Sequence, residues 1–262
     1  ERWPSRPVRL VVPFAAGGTT DLVARTVAPP MGQALGQQVV VDNKAGAGGL
    51  LGTDAVAKAR DGYTLGIGTV STHAIAPALM RQPPYRPGTD FKPVAVVGTT
   101  ALAVFVHPSV AANLAELADK ARREPGQYNF GSPGSGSLGH LAGVWFNALT
   151  GGELMHVPYR GSGPALQDLL AARVHVLFDN IPTALSQMQA GSVRALAVTA
   201  PIRVALLPGV PTVREAGLPD FEILSWTMLL TPAAGTAAAV DAANAAVKAA
   251  LINYTMGQGL AL

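Results

Sequence analysis

The sequence predicts an α/β protein of two doubly wound lobes with a ligand cleft between them. Three observations predict it. Apolar runs of four to six residues alternate with helical stretches and turn signals, a βαβα rhythm that implies a parallel sheet with helices on both faces. Two segments, VRLVVPFAAGGTTDLVAR (Val8–Arg25) and YNFGSPGSGSLGHLAG (Tyr128–Gly143), repeat one design: a short apolar strand, a loop of small residues, then a helix. The chain has 262 residues, 49% of them apolar and 13% charged, which fills two cores of about 120 residues each.

In the first lobe, Val8–Val12 reads as a strand and Asp21–Leu35 as a helix that Pro29–Pro30 kinks or splits, because two N–H donors are missing. Val39–Val41 is the next strand, and the loop KAGAGG (Lys44–Gly49) leads into the helix Leu51–Ala59. Tyr63–Ile67 is a strand, followed by a polar loop Thr69–Thr72 and a short helix Ala74–Met80. The second lobe starts after a strand at Val94–Val97. It alternates strands at Ala101–Val106, Asn129–Phe130, Met155–Val157, Val174–Phe178 and Ala195–Val198 with helices at Leu114–Arg123, Leu138–Leu149, Leu166–Ala171 and Ala184–Gln189. Proline-rich turns at Pro201, Pro208, Pro211 and Pro219 close this half. A strand at Trp226–Leu230 and the Ala-rich helix Ala237–Leu251 then return to the first lobe. The boundaries are 1–99 plus 224–262 for lobe one and 100–223 for lobe two.

In open α/β sheets ligands bind beyond the carboxyl ends of the strands. The loops there are Pro13–Thr20, Lys44–Gly49, Thr69–His73, Gly131–Ser137, Pro158–Gly163 and Asp179–Pro182, rich in Gly, Ser and Thr and poor in charge. That composition suits hydrogen bonding to an anion through main-chain N–H groups and helix N-termini; it does not suit acid–base catalysis. Phe14, Tyr159 and Trp226 offer apolar walls, and Arg160 stands beside the second lobe's loops. His73 follows a polar loop, where it is placed to donate to a ligand. Asp179 ends the apolar run VHVLFD, placed to accept from a ligand ammonium or hydroxyl or to fix a water. Asp21, after Thr19 and Thr20, reads as dipole compensation in the first helical turn.

Several classes are excluded or weakened. There is no cysteine, hence no thiolate catalysis, thiolate metal site or disulfide. The five histidines lack metal-ligand spacing. No Gly-Lys-Ser/Thr and no G-x-S-x-G occurs. The net charge is +3, the basic residues are scattered and aromatics are only 6%, unlike a nucleic-acid binder with its basic stripe and stacking platforms. No apolar run is long enough to span a bilayer. The opening at Glu1 without Met reads as a mature start. One alternative stays open. Gly134–Gly139 (GSGSLG) matches the dinucleotide pattern G-x-G-x-x-G, but the strand that follows carries no acidic residue at its far end to hold a ribose.

PVRLVVPFAAGGTTDLVAR, VVVDNKAGAGGLLGTDAVAKARDGYTLGIGT, NFGSPGSGSLGHLAG, PYRGSGPALQDLL and LPGVPTVREAGLPDFEI together resemble the Bug family, the periplasmic solute receptors of tripartite tricarboxylate transporters. The resemblance runs in order to about residue 251. The proline pair in the first helix and the short tail INYTMGQGLAL depart from it. It implies a periplasmic-binding-protein-like fold of the Venus-flytrap kind, a removed signal peptide, no enzymatic activity, no cofactor and no metal. It implies a monomer that binds a small organic acid or acidic amino acid and partners membrane transporter subunits, with no nucleic acid. Carried onto this chain, the ligand-binding positions are Phe14, Ala15, Gly17, Gly18 and Thr19, joined by Thr69, Ser71 and His73. The second lobe offers Ser132, Ser135, Gly136 and Ser137, with Tyr159 and Asp179 at the rim. A nucleotide-dependent enzyme and a ligand-sensing module that signals to a partner protein are the competing readings.

Overall fold

The structure is a computed structural model that describes residues 3–257, with side chains described over 3–252; the end of the tail, residues 258–262, lies outside the described residues. The chain divides into two compact units. Unit one comprises residues 1–16, 20–98 and 226–262; unit two comprises residues 99–225 together with the tripeptide Gly17–Thr19.

In unit one, β1 (Val8–Val12) lies between β2 (Val39–Asn43) and β3 (Thr64–Thr69), parallel to both. β9 (Leu224–Pro232) pairs antiparallel with β3, and β4 (Phe91–Val106) is the next neighbour. Side chains of a strand alternate between faces, and both faces are covered here. Val8, Leu10 and Val12 meet α1 (Thr19–Leu35) and α8 (Ala237–Gly257), with Leu65, Ile67, Met31, Ala243 and Val247 in the same cluster. Val11 faces the other way, toward Val56 of α2 (Leu50–Ala57), Tyr85, Phe91 and Leu230.

In unit two the order is β8 (Arg194–Val198), β4, β7 (Val176–Asn180), β5 (Asn129–Ser132), β6 (Met155–Pro158). β5 is parallel to β6 and β7, while β4 is antiparallel to β7 and β8. Leu102, Val104 and Val106 pack with α4 (Leu114–Arg123) and α5 (Leu138–Thr150); Ala101, Ala103 and Phe105 pack with α6 (Ser162–Leu170) and α7 (Ile181–Gln189).

Four expectations are corrected. The sheets are mixed, not wholly parallel, because β4 and β9 run antiparallel to their neighbours. Val94–Val97 and Ala101–Val106 are one strand, since Gly98–Thr100 stays extended instead of turning. The polar stretch after Thr69 is helical: a π-turn at Ser71–Ile75 runs into α3 (Ala76–Leu79). Helix α1 is not split by Pro29–Pro30. The carbonyls these prolines leave without an i−4 donor belong to Arg25 and Thr26, both exposed to water, while Ala24, Val27, Ala28 and Met31 anchor the buried stripe.

Candidate functional site

The two strand–loop–helix segments form as read, but their polar groups are largely engaged within the loops. In the first, Phe14 is buried and its carbonyl accepts from Asn43 Nδ2 at 3.0 Å. The same amide donates to Asp21 Oδ1 at 2.9 Å, and Arg25 Nε donates to both Asp21 oxygens at 3.0 Å. Asp21 is thus a buried brace between α1 and the end of β2. The hydrogen bond and charge of Asp21 raise the Arg25 pKa. Ala15 is half-buried and Gly17 exposed. Gly17 has φ +89°, a left-handed conformation that favours glycine. A Cβ on Gly18 would lie 2.9 Å from Ser162 Cβ.

Within unit two, Thr19 meets the start of α7. Its N–H donates to Thr183 Oγ1 at 3.2 Å, and the two hydroxyls are 2.9 Å apart. Thr183 also donates to Asp179 Oδ1 at 3.4 Å, which accepts from Asn180 N at 2.7 Å. Asp179 is buried, and that burial pushes its carboxyl up to about 6 against the hydrogen bonds from Ser162, Asn180 and Thr183. Asp179 Oδ2 and Asn180 Oδ1 are buried with no hydrogen-bond partner among the described residues. Two unpartnered acceptors thus stand side by side at the end of β7.

The loop after β5 is braced by two histidines. Ser132, fully buried, donates to Gly134 O and accepts from Gly134 N at 3.2 Å; its Oγ lies 2.6 Å from His156 Nε2. Gly136 N donates to His140 Nδ1 at 3.1 Å, and Ser137 Oγ caps α5 by accepting from His140 N at 3.2 Å. The two imidazoles stack 4.0 Å apart. Burial, with His140 adding repulsion, lowers His156 to about 4; burial also lowers His140. Both are neutral at pH 7 and serve as hydrogen-bond partners. Ser135 is the exposed member of this loop. Gly134 and Gly136 have positive φ. The third glycine of the GSGSLG pattern has a packing reason, because a Cβ at Gly139 would stand 2.6 Å from Phe178 O.

The remaining positions are more structural in their contacts. Thr69 and Ser71 are buried, and Thr69 N donates to Thr72 Oγ1 at 3.0 Å. His73 lies in unit one against Phe91, ring centroids 4.8 Å apart, with Thr72 Oγ1 2.9 Å from its Nδ1. Tyr159 is half-buried and donates to Asp168 Oδ2 at 2.7 Å; burial pushes its phenol up to about 12. The structure brings Thr19 and Asp179 into one network in unit two and leaves Ser132, Gly136 and Ser137 in another. Sequence reasoning gave no role to Thr183, Asn43, His140 or His156, and it named Ser162 only within the loop Pro158–Gly163. Thr183 lies in the first turn of α7, directly after the flagged loop Asp179–Pro182; His156 acts from β6 onto β5 and left no local signal, while His140 acts on Gly136 four residues away. Among the described residues no group of three or more His, Cys, Asp or Glu is arranged for a metal, and no helix is long and apolar enough to cross a membrane.

Comparison with known proteins bears on the family of the chain. Residues 23–261 match the family described as tripartite tricarboxylate transporter family receptor. BugT of Bordetella pertussis is 39% identical over 235 residues, covering 88% of this chain and 72% of that protein. Two solved structures from Rhodopseudomonas palustris superpose over almost the whole chain. MatC with bound malate has TM-score 0.90 and 38% identity, covering 95% of this chain and 85% of that one. A protein with adipate has TM-score 0.89 and 40% identity, covering 94% and 83%. With solute-binding proteins as its relatives, the chain is not an enzyme, and the nucleotide-dependent alternative falls with that finding. The chain belongs to the receptor family of the tripartite tricarboxylate transporters, the Bug proteins, and has their two-lobed α/β fold.

Proposed function

We propose that the chain is a periplasmic receptor, monomeric and made with a signal peptide that is removed. It captures a small carboxylate by closure of its two units and delivers it to the membrane subunits of a tripartite tricarboxylate transporter. The ligand class is a dicarboxylate, tricarboxylate, acidic amino acid or aromatic acid. Malate and adipate in relatives of 38% and 40% identity carry this reading. The loops support it, being Gly-, Ser- and Thr-rich helix entrances with little charge.

In this proposal Ala15, Gly17 and Gly18 present backbone to the carboxylate with Phe14 behind them, and Thr69 and Ser71 close the first-unit side. Ser135 and Gly136 serve from the second unit, with Ser132 and Ser137 shaping that loop and Tyr159 and Asp179 at the edge. Micromolar capture requires about 8 kcal/mol. One exposed helix end gives about 0.3–1 kcal/mol and each charge-assisted hydrogen bond about 1.5–3, so several groups must share one ligand. A thermal-shift screen of organic acids, with NAD and NADP as controls, tests this. An acid that raises the midpoint in a concentration-dependent way supports the proposal; stabilisation by a nucleotide and by no acid overturns it.

A further inference from the structure

Unit one contains a cavity of about 450 Å³, lined by His73, Phe91, Pro93, Trp226, Met228 and Leu230 among others. That volume lies in the range of small-molecule sites, which are typically apolar with a few placed polar groups. The lining contains no charged side chain. Two lining rings carry polar atoms, the Trp226 indole with its N–H and His73, whose Nδ1 is 2.9 Å from Thr72 Oγ1 and whose buried Nε2 has no hydrogen-bond partner among the described residues.

The sequence makes room for this arrangement. Trp226, Met228 and Leu230 alternate along β9 and so share a face. Opposite them β3 carries glycines, with Gly68 paired to Met228 and Gly66 to Leu230. A Cβ at Gly68 would stand 2.9 Å from His73 Cε1 and 2.7 Å from Leu230 Cδ2, so glycine lets the imidazole lie against the sheet. Phe91 holds the ring from the side, and Tyr85 fixes the π-turn by donating to Thr72 O at 2.5 Å. Burial lowers His73 to about 4, so it is neutral at pH 7 and offers a bound anion no charge.

We propose that this cavity binds an uncharged aromatic molecule bearing one hydroxyl group, its ring against Trp226, Met228 and Leu230 and its hydroxyl on His73 Nε2. Aromatic and apolar walls favour a flat ring. A hydroxyl both donates and accepts, so it satisfies Nε2 in either tautomer of the imidazole. His73 and Trp226 are thereby assigned to this cavity within unit one, in place of the carboxylate site the sequence suggested for them.

The test is titration of the whole chain with p-cresol, followed by calorimetry and by Trp226 fluorescence, with Trp226→Phe identifying the signal. We expect saturable one-to-one binding, weaker for toluene by about tenfold because the hydrogen bond to Nε2 is lost. His73→Phe is expected to bring the two guests within about twofold of each other, and benzoate, an anion, is expected not to displace p-cresol. Absence of saturation up to the solubility limit, equal binding of toluene and p-cresol by the unaltered chain, or displacement by benzoate overturns the proposal. The comparison of the two guests on the unaltered chain needs no variant to fold.

Discussion

Asp179 and His156 respond to pH in opposite directions, each from a burial that penalises charge. Asp179 is pushed up from 3.8 to about 6, so between those values the folded chain binds more protons than the unfolded one, and its contribution to stability falls as pH rises through the window. The penalty above pH 6 is about 3 kcal/mol. His156 is lowered from 6.5 to about 4, so the unfolded chain binds more protons and stability is lost as pH falls through that window. Asp179→Asn is therefore expected to steepen the loss of thermal stability between pH 6 and pH 4, and His156→Gln to flatten it, as measured by melting across pH. Equal slopes in all three proteins would show that neither group is held as described. Gly17 belongs to the same scale. Gly17→Asp puts a carboxylate into a left-handed position beside the proposed anion site. Affinity for the bound acid is expected to fall by at least about tenfold while the fold persists, which calorimetry with far-ultraviolet circular dichroism checks.

At the scale of elements, α1 is held by its buried stripe against the preference of its own prolines. A proline inside a helix costs about 3 kcal/mol relative to alanine. Pro30→Ala restores a donor for the Thr26 carbonyl, so it is expected to raise the unfolding free energy by part of that amount, read as a higher denaturation midpoint; an unchanged or lower midpoint would mean that the proline has a packing role. Asn43 ties β2 to the Phe14 carbonyl and to Asp21. Asn43→Ala is expected to cost about 1–3 kcal/mol, read by denaturant titration. Sequence reading did well on elements with a sharp local signature. Val8–Val12 and Leu114–Arg123 are strand and helix as read. It failed where the deciding partner is distant: Gly98–Thr100 has the composition of a turn, yet continues the strand between Val97 and Ala101. Thr69–Thr72 has the composition of a loop, yet Thr69 ends β3 and Ser71 and Thr72 enter the π-turn, where Thr72 Oγ1 accepts from Thr69 N and the Thr72 carbonyl accepts from the Tyr85 hydroxyl.

For the whole molecule, the two-unit α/β design was legible because strand–loop–helix segments recur, and the family was legible because several motifs keep their order. The mixed pairing of the sheets was not, since strand direction depends on which strands become neighbours, and β4 and β9 pair across long stretches of sequence. The site was legible as a set of loops but not as a set of contacts. Ser132, Gly136 and Ser137 are glycine-loop residues by composition, while their hydrogen bonds run to His156, to His140 and within the loop. The measurement that bears most directly on the proposed function is calorimetric titration of the purified chain with malate, adipate, citrate, glutamate and benzoate. At least one of these acids is expected to bind one-to-one with a dissociation constant of about micromolar; failure of every one to bind below about 1 mM would contradict it.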